Sequence, residues 1–239
     1  IEALGVDVLM VLNFDEALSK LTPLEFVENV IVQGLGTRDL VVGYDFRFGN
    51  QRVGDAAFLK SQASAGAYSL NVVEAIASAD SEVYSSTHIR ELLIAGKPGH
   101  AAAMLGRPFE IEGCVKHGDE RGRQLGFPTA NIELDGYLNP AFGVYAIRAG
   151  LETDTGSFEW FDGVANFGNR PTVDGARILL ESHLFDFDGD LYDKNLRIAL
   201  IEFLRPEIKF DGLDMLKSQI GMDSASARRM LRVRAAGAP

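Results

Sequence analysis

Apolar positions along this chain follow one rhythm up to Leu105 and a different one beyond Pro108. The first rhythm alternates strand-like and helix-like stretches. Val6–Leu12 is a mostly apolar run that predicts a buried strand, and Thr22-Pro23-Leu24-Glu25 then supplies a helix N-cap, a proline at the first helical position and a capping-box glutamate. That helix runs to Val32. Asp39–Gly43 reads as a second buried strand, Asp55–Ala65 as a helix, Leu70–Val73 as a strand and Thr87–Ile94 as a helix. Strands separated by helices predict a parallel, doubly wound sheet, whose ligands bind beyond the carboxyl ends of its strands. After Pro108 the helical stretches disappear. Phe109–Lys116, Thr129–Leu134, Gly143–Ala149, Phe161–Asn166, Arg177–Leu184 and Leu196–Phe203 are short strand-like segments set apart by Gly, Asp or Pro turns, the spacing of a small antiparallel barrel. Met215–Ile220 and Ala225–Val233 predict two closing helices with Asp211 and Ser224 as N-caps. The change of rhythm places a domain boundary between residues 100 and 108.

Composition narrows the function classes. The chain has 239 residues, 46% of them hydrophobic and 24% charged, which suits two modest cores. A net charge of -11 opposes nucleic acid and anionic membrane as partners but leaves mononucleotides open, because a local site of Arg and glycine-loop N–H groups can hold phosphate against the overall field. The single Cys114 fits a reducing cytoplasm, and equally reads as a small buried residue in a strand. No apolar run is long enough to span a bilayer, and the N-terminus lacks the basic stretch and apolar core of a signal peptide. The chain opens at Ile1, already inside the α/β pattern, so an upstream segment is expected. Oligomeric state is left open.

The richest chemistry lies between His117 and Asn131. Gly118, Gly122 and Gly126 let the backbone turn successive N–H groups onto a polyphosphate, and Arg121 and Arg123 either pair with those phosphates or solvate the loop. Pro128-Thr129-Ala130-Asn131 follows, and the oxygens of Thr129 and Asn131, two residues apart on one strand face, suit magnesium, which keeps phosphate and water as its other ligands. A Gly-rich hairpin with solvated arginines is the plainer alternative for a lone glycine pattern.

The whole run resembles the signature of riboflavin kinases, and in particular of the bacterial bifunctional riboflavin kinase/FMN adenylyltransferases. Leu105-Gly106-Arg107-Pro108 resembles that family's junction between modules, and Asn166–Thr172 its second glycine loop. Glu181–Tyr192 resembles the catalytic strand with its following turn, and Phe203–Phe210 the segment leading to the last helices. The resemblance implies a Rossmann-like nucleotidyltransferase module over residues 1–104, incomplete at its N-terminus, and a six-stranded antiparallel Greek-key barrel with C-terminal helices over 105–239. It implies ATP as co-substrate, riboflavin, FMN and FAD as substrates and products, and Mg²⁺. The loop carrying Gly118, Arg121, Gly122, Arg123, Gly126 and Pro128 is then the phosphate cover, Thr129 and Asn131 the metal ligands and Glu181 the general base. On pattern alone Glu181 is a solvated strand side chain; its place in the matched block gives it the catalytic role. The assignment requires Thr129 and Glu181 to converge on one pocket. Asp223 and Arg228 resemble positions near the flavin, whereas His183 reads as structural. The Asp186-x-Asp188-Gly189-Asp190 turn is an acidic hairpin rather than a calcium loop, since the twelfth position of such a loop is Arg197.

Two further segments carry the adenylyltransferase resemblance. Ser85-Ser86-Thr87-His88-Ile89-Arg90 sets hydroxyls and free N–H groups at a helix N-terminus with Arg90 one turn on, a geometry that grips phosphate and that also serves as a plain cap. Within Gly43–Gly49, Asp45 and Phe48 are the expected flavin contacts, with a core role the alternative for Phe46 and Phe48. The family's His-x-Gly-His step does not occur among His88, His100, His117 and His183. Little FAD formation from FMN and ATP is therefore expected of these 239 residues by themselves. The rival readings are a nucleotidyltransferase of another substrate class and a barrel that binds flavin or nucleotide without catalysis.

Overall fold

A computed structural model describes residues 4–77, 82–116, 126–134, 136–153, 155–172 and 175–237. They divide into two compact units between Val83 and Tyr84.

The N-terminal unit is α/β. Helix α1 (Glu16–Lys20) starts where the Asp15 carboxylate accepts the Leu18 N–H at 2.8 Å. Helix α2 (Pro23–Glu25) opens with the expected capping box: Thr22 Oγ1 accepts the Glu25 N–H at 3.2 Å, and the Glu25 carboxylate accepts the Thr22 N–H at 2.8 Å. Those bonds from the Thr22 backbone and hydroxyl hold the Glu25 carboxyl below its usual range. The helix continues as a wider, π-type coil over Phe26–Gly34. Strands β1 (Asp39–Gly43) and β2 (Ser69–Val73) pair in parallel, joined through helix α3 (Ala56–Ala63), which is capped by Asp55. Val27, Ile31, Val42, Phe48, Leu59 and Tyr68 form the core. The strand expected over Val6–Leu12 is absent: that stretch forms no regular secondary structure, with Val8 79% and Val11 75% exposed. An apolar run becomes a strand only where a sheet edge can take up its backbone N–H and C=O groups.

The second unit begins with α4 (Ser86–Ile94) and α5 (Pro98–Leu105). Helix α5 was not anticipated, although Pro98 at its first turn and left-handed Gly106 at its end (φ 72°) are standard punctuation. Its Ala-rich sequence lacks the polar face that makes helical periodicity visible. Six antiparallel strands follow: β3 (Phe109–Cys114), β4 (Ala130–Glu133), β5 (Gly143–Glu152), β6 (Phe158–Thr172), β7 (Gly175–Leu184) and β8 (Asn195–Pro206). Their order is β3-β8-β5-β6-β7-β4. The sheet curls until its edges meet, where the Lys116 N–H donates to the Asn131 carbonyl at 2.9 Å. Contact there is so close that a Cβ on Gly113 would collide with the Ile132 side chain.

Alternation along the strands builds two apolar layers. Ile111, Ile132, Tyr145, Ile147, Phe167, Leu180 and Ile198 fill the inside of the curl. Val144, Ala146, Val164, Ala199 and Ile201 face outward and are covered by Ala227 and Leu231 of helix α6 (Leu213–Gly237). Helix α6 corrects the two-helix expectation. It is continuous; Ser224 donates its hydroxyl to the Ile220 carbonyl at 2.8 Å instead of capping, and the helix begins beyond Gly212 rather than Asp211. Packing of the Ala227 and Leu231 face against the sheet overrides the local preference of Gly221 and Ser224 to break it.

Candidate active site

Strands β4, β7 and β6 form a wall with two chemically different faces. Glu181 stands directly opposite Asn131 on one side and Asn166 on the other. Directly paired residues of antiparallel strands point the same way, so these three polar side chains share the outer face. One position on, Ala130, Ser182 and Ala165 are paired and share the inner face.

A cavity lies on each side. The inner one, about 540 Å³, is lined by Thr129, Ala130, Asn131, Ser182 and the turn from Phe187 to Tyr192. The outer one, about 290 Å³, lies between the wall and α6 and is lined by Glu181, Asn166, Arg205, Phe210, Ile220 and Asp223, among others. Pro128 lines the inner cavity alone, whereas Thr129 lines both. Thr129 and Glu181 thus meet at one pocket, as the site reading required.

Long-range polar contacts shape the outer cavity. Asp223 is 7% exposed. It accepts from Arg205 Nε at 3.0 Å and Nη2 at 2.7 Å, and from Gln219 Nε2 at 2.9 Å. Such a fork pairs two charges and leaves few lone pairs unmet, the condition under which a buried ion pair is tolerated. Asn166 donates to the Glu207 carboxylate at 3.1 Å, and a Cβ at position 168 would displace that carboxylate from its place. His183, which also lines the outer cavity, has its Nδ1 2.8 Å from the Pro128 carbonyl and its ring edge-on to Phe127.

Several anticipated residues lie elsewhere. Arg228 is not part of the outer cavity; it makes a two-pronged pair with Asp186 at 2.7 and 2.9 Å and lies over the Phe185 ring. Those bonds hold the Asp186 carboxyl below the usual carboxylate range. Gly126 adopts φ 87°, which suits a tight turn into Phe127-Pro128. Gly118, Arg121, Gly122 and Arg123 fall outside the described residues. In the N-terminal unit Asp45 is exposed, whereas Phe48 is 6% exposed with its ring among those of Phe26, Phe46 and Phe58. At the start of α4, Ser85 caps the helix by accepting the His88 N–H at 3.1 Å, and Arg90 donates to the Ser86 hydroxyl at 3.2 Å. Arg205, Asn166 and Glu207 had been given no roles. Arg205 is one of three charged residues of β8, and its partner lies eighteen positions away on another element.

The residues present fit magnesium. Thr129 and Asn131 offer neutral oxygens at the rim of a cavity with room for phosphate and water. Among the described residues no cluster of three His, Cys, Asp or Glu side chains could form a protein cage for a metal. That donor set matches a hard cation held mostly by its substrate. Among the described residues no helix is long and apolar enough to cross a membrane.

Comparison with known proteins places this geometry. Residues 105–231 match the riboflavin kinase family and residues 1–88 the FAD synthetase family. A bifunctional riboflavin kinase/FMN adenylyltransferase of Pseudomonas fluorescens is 40% identical over 227 residues, 95% of this chain and 71% of the relative. The enzyme of the same name from Escherichia coli K12 is 40% identical over 226 residues, covering 94% and 70%. That from Bacillus subtilis is 36% identical over 233 residues, covering 96% and 71%. A crystal structure titled as a macrolide-efflux protein of Streptococcus pneumoniae superposes with a TM-score of 0.79 at 30% identity, over 95% of this chain and 71% of that one.

Proposed function

Since the chain belongs to the family of bifunctional riboflavin kinase/FMN adenylyltransferases, we propose that it converts riboflavin and ATP to FMN in residues 105–239 and that residues 1–104 serve the adenylylation of FMN to FAD. In this reading the curled sheet is a Greek-key kinase barrel and the β1–α3–β2 unit belongs to a Rossmann-like nucleotidyltransferase module. Substrates are small molecules, and the acidic surface keeps nucleic acid and anionic membrane out of the account. A cytoplasmic setting agrees with the single, unpaired Cys114.

ATP occupies the inner cavity and riboflavin the outer one, with the glycine loop from Gly118 to Gly126 over the phosphates. Thr129 stands between the two cavities, and its hydroxyl and the Asn131 amide oxygen hold the magnesium. That ion, when bound, neutralises charge between the β- and γ-phosphates. Glu181 orients the terminal ribityl hydroxyl and takes its proton as the alcohol oxygen bonds to the γ-phosphorus; the bond from that phosphorus to the β–γ bridging oxygen breaks, and ADP leaves. Asp223 and Arg205 hold α6 against the sheet and so shape the flavin side. For the second reaction, Ser85, Ser86, Thr87 and Arg90 are the phosphate grip. Asp45 and Phe48 follow β1 as the flavin contacts of this module, Asp45 exposed and Phe48 buried among aromatic rings.

One observation carries the kinase reading: Thr129 lines both cavities, and Glu181 shares the outer one with it. Replacing Glu181 by Ala tests it. Turnover of riboflavin should fall by roughly 10²- to 10⁴-fold, the usual contribution of a general base, while riboflavin binding measured by flavin fluorescence persists. Unchanged turnover would refute the assignment.

A further inference from the structure

Ser182 is the exception in the barrel interior. Its side chain is fully buried, its hydroxyl has no hydrogen-bond partner among the described residues, and it lines the inner cavity. A buried hydroxyl without a partner bears its full desolvation penalty, so folding by itself gives no reason for serine here. Its paired neighbours on β4 and β6 are both alanines, Ala130 and Ala165, which leave room around it. Alanine would have fitted equally well and without the penalty.

The surroundings indicate what satisfies the hydroxyl. Val115, Leu184, Phe187 and Leu191 line the same cavity together with Asp188 and Asp190, and apolar surface beside carboxylates suits a flat heteroaromatic ring bearing amino groups better than a phosphate. The polar groups suited to phosphate and metal, Thr129 and Asn131, lie one strand away at the wall's edge, where the cavity reaches the flavin side. A nucleotide with its terminal phosphate at Thr129 therefore has its base further inside. Resting on the kinase reading above, we infer that Ser182 is a nucleoside-recognising residue: one rotation about its side-chain bond brings the hydroxyl to a ring nitrogen or exocyclic amine of the purine. The hydroxyl both donates and accepts, so it pairs with either kind of group. The stability forgone in the empty protein returns when the base binds, a preference of the site for a complete nucleotide over bare polyphosphate.

The test is Ser182→Ala, with Ser182→Cys as a second variant of similar size and poor hydrogen-bonding power. Without ligand, Ser182→Ala should melt at the wild-type temperature or above it, because the lost hydroxyl had no partner. The dissociation constant for ADP with Mg²⁺, measured by calorimetry, should rise roughly three- to tenfold in both variants, the range expected for one neutral hydrogen bond. The constant for inorganic tripolyphosphate with Mg²⁺ should not move. Wild-type affinity for ADP, equal weakening of ADP and tripolyphosphate, or a variant destabilised without ligand would each overturn the inference. The wild-type chain is assayed alongside for riboflavin phosphorylation. Absence of that activity counts against the kinase reading, whereas activity together with an unaltered ADP constant removes only the role of Ser182.

Discussion

The two cavities on either side of the β4–β7 wall are made by different means. The inner one is bounded by a locally determined turn: Asp186 and Asp193 adopt left-handed backbone (φ 57° and 59°) at its two ends, and the Asp190 carboxylate accepts the Tyr192 N–H at 3.0 Å. The outer one is assembled from afar. Arg205 with Asp223, Asn166 with Glu207 and His183 with Pro128 each join separate segments. A turn made by neighbours forms wherever its sequence occurs, whereas a pocket under a helix exists only while the helix stays docked. The inner cavity should therefore tolerate loosening of α6, and the outer one should not.

Three substitutions separate the two, beginning with the largest effect. Thr129→Val keeps the shape and removes the oxygen common to both cavities, so kcat/KM for riboflavin phosphorylation should fall about a hundredfold, with the Mg²⁺ requirement shifted to higher concentration. A loss confined to riboflavin affinity would show that Thr129 serves only the outer side. Asp223→Ala comes next. It strands the mostly buried Arg205 guanidinium, and chemical denaturation should register a loss of about 2–3 kcal/mol, at the low end for a broken buried pair. Riboflavin affinity should weaken with it while ADP affinity holds; equal weakening of both would erase the distinction between the cavities.

The smallest effect belongs to Asp186→Asn, which removes the exposed pair to Arg228 without straining the backbone, since asparagine tolerates the left-handed conformation. The Asp186 carboxyl titrates below its usual range because Arg228 hydrogen-bonds its charged form. The contribution of the pair is therefore present above the ordinary aspartate range and lost as pH falls through the lowered value. Wild type and variant should differ slightly in melting temperature at neutral pH and converge in acid; a gap that persists in acid would mean that the charge is not its source.

The same distinction explains how much of the molecule was legible beforehand. The Thr22–Glu25 capping box, the six barrel strands and the parallel β1–β2 pair were read from the sequence, whereas the acidic segment from Asp186 to Asp190, expected as a hairpin, instead leads from β7 to β8, which are not neighbours in the sheet. Thr129 and Asn131 were singled out by their oxygens and spacing and Glu181 through the family resemblance, but their meeting depends on the β4–β7 register, which no local pattern states. The partners of Asp223 and Asn166 went unread because those pairings span tens of residues or different elements. Arg228, placed near the flavin by the resemblance, pairs with Asp186 across forty-two positions, a contact no local pattern states. Helix α6 erred in the opposite direction, for Gly221 and Ser224 announced a break that docking on the sheet suppresses. Val6–Leu12 carried a clear apolar signal and found no sheet edge to join.

That the two cavities share only Thr129 among the described residues has a kinetic corollary. On the proposed assignment ATP and riboflavin occupy different cavities, so the arrival of one would leave the seat of the other open and a random order of binding is expected. A compulsory order in initial-rate kinetics would argue against that assignment.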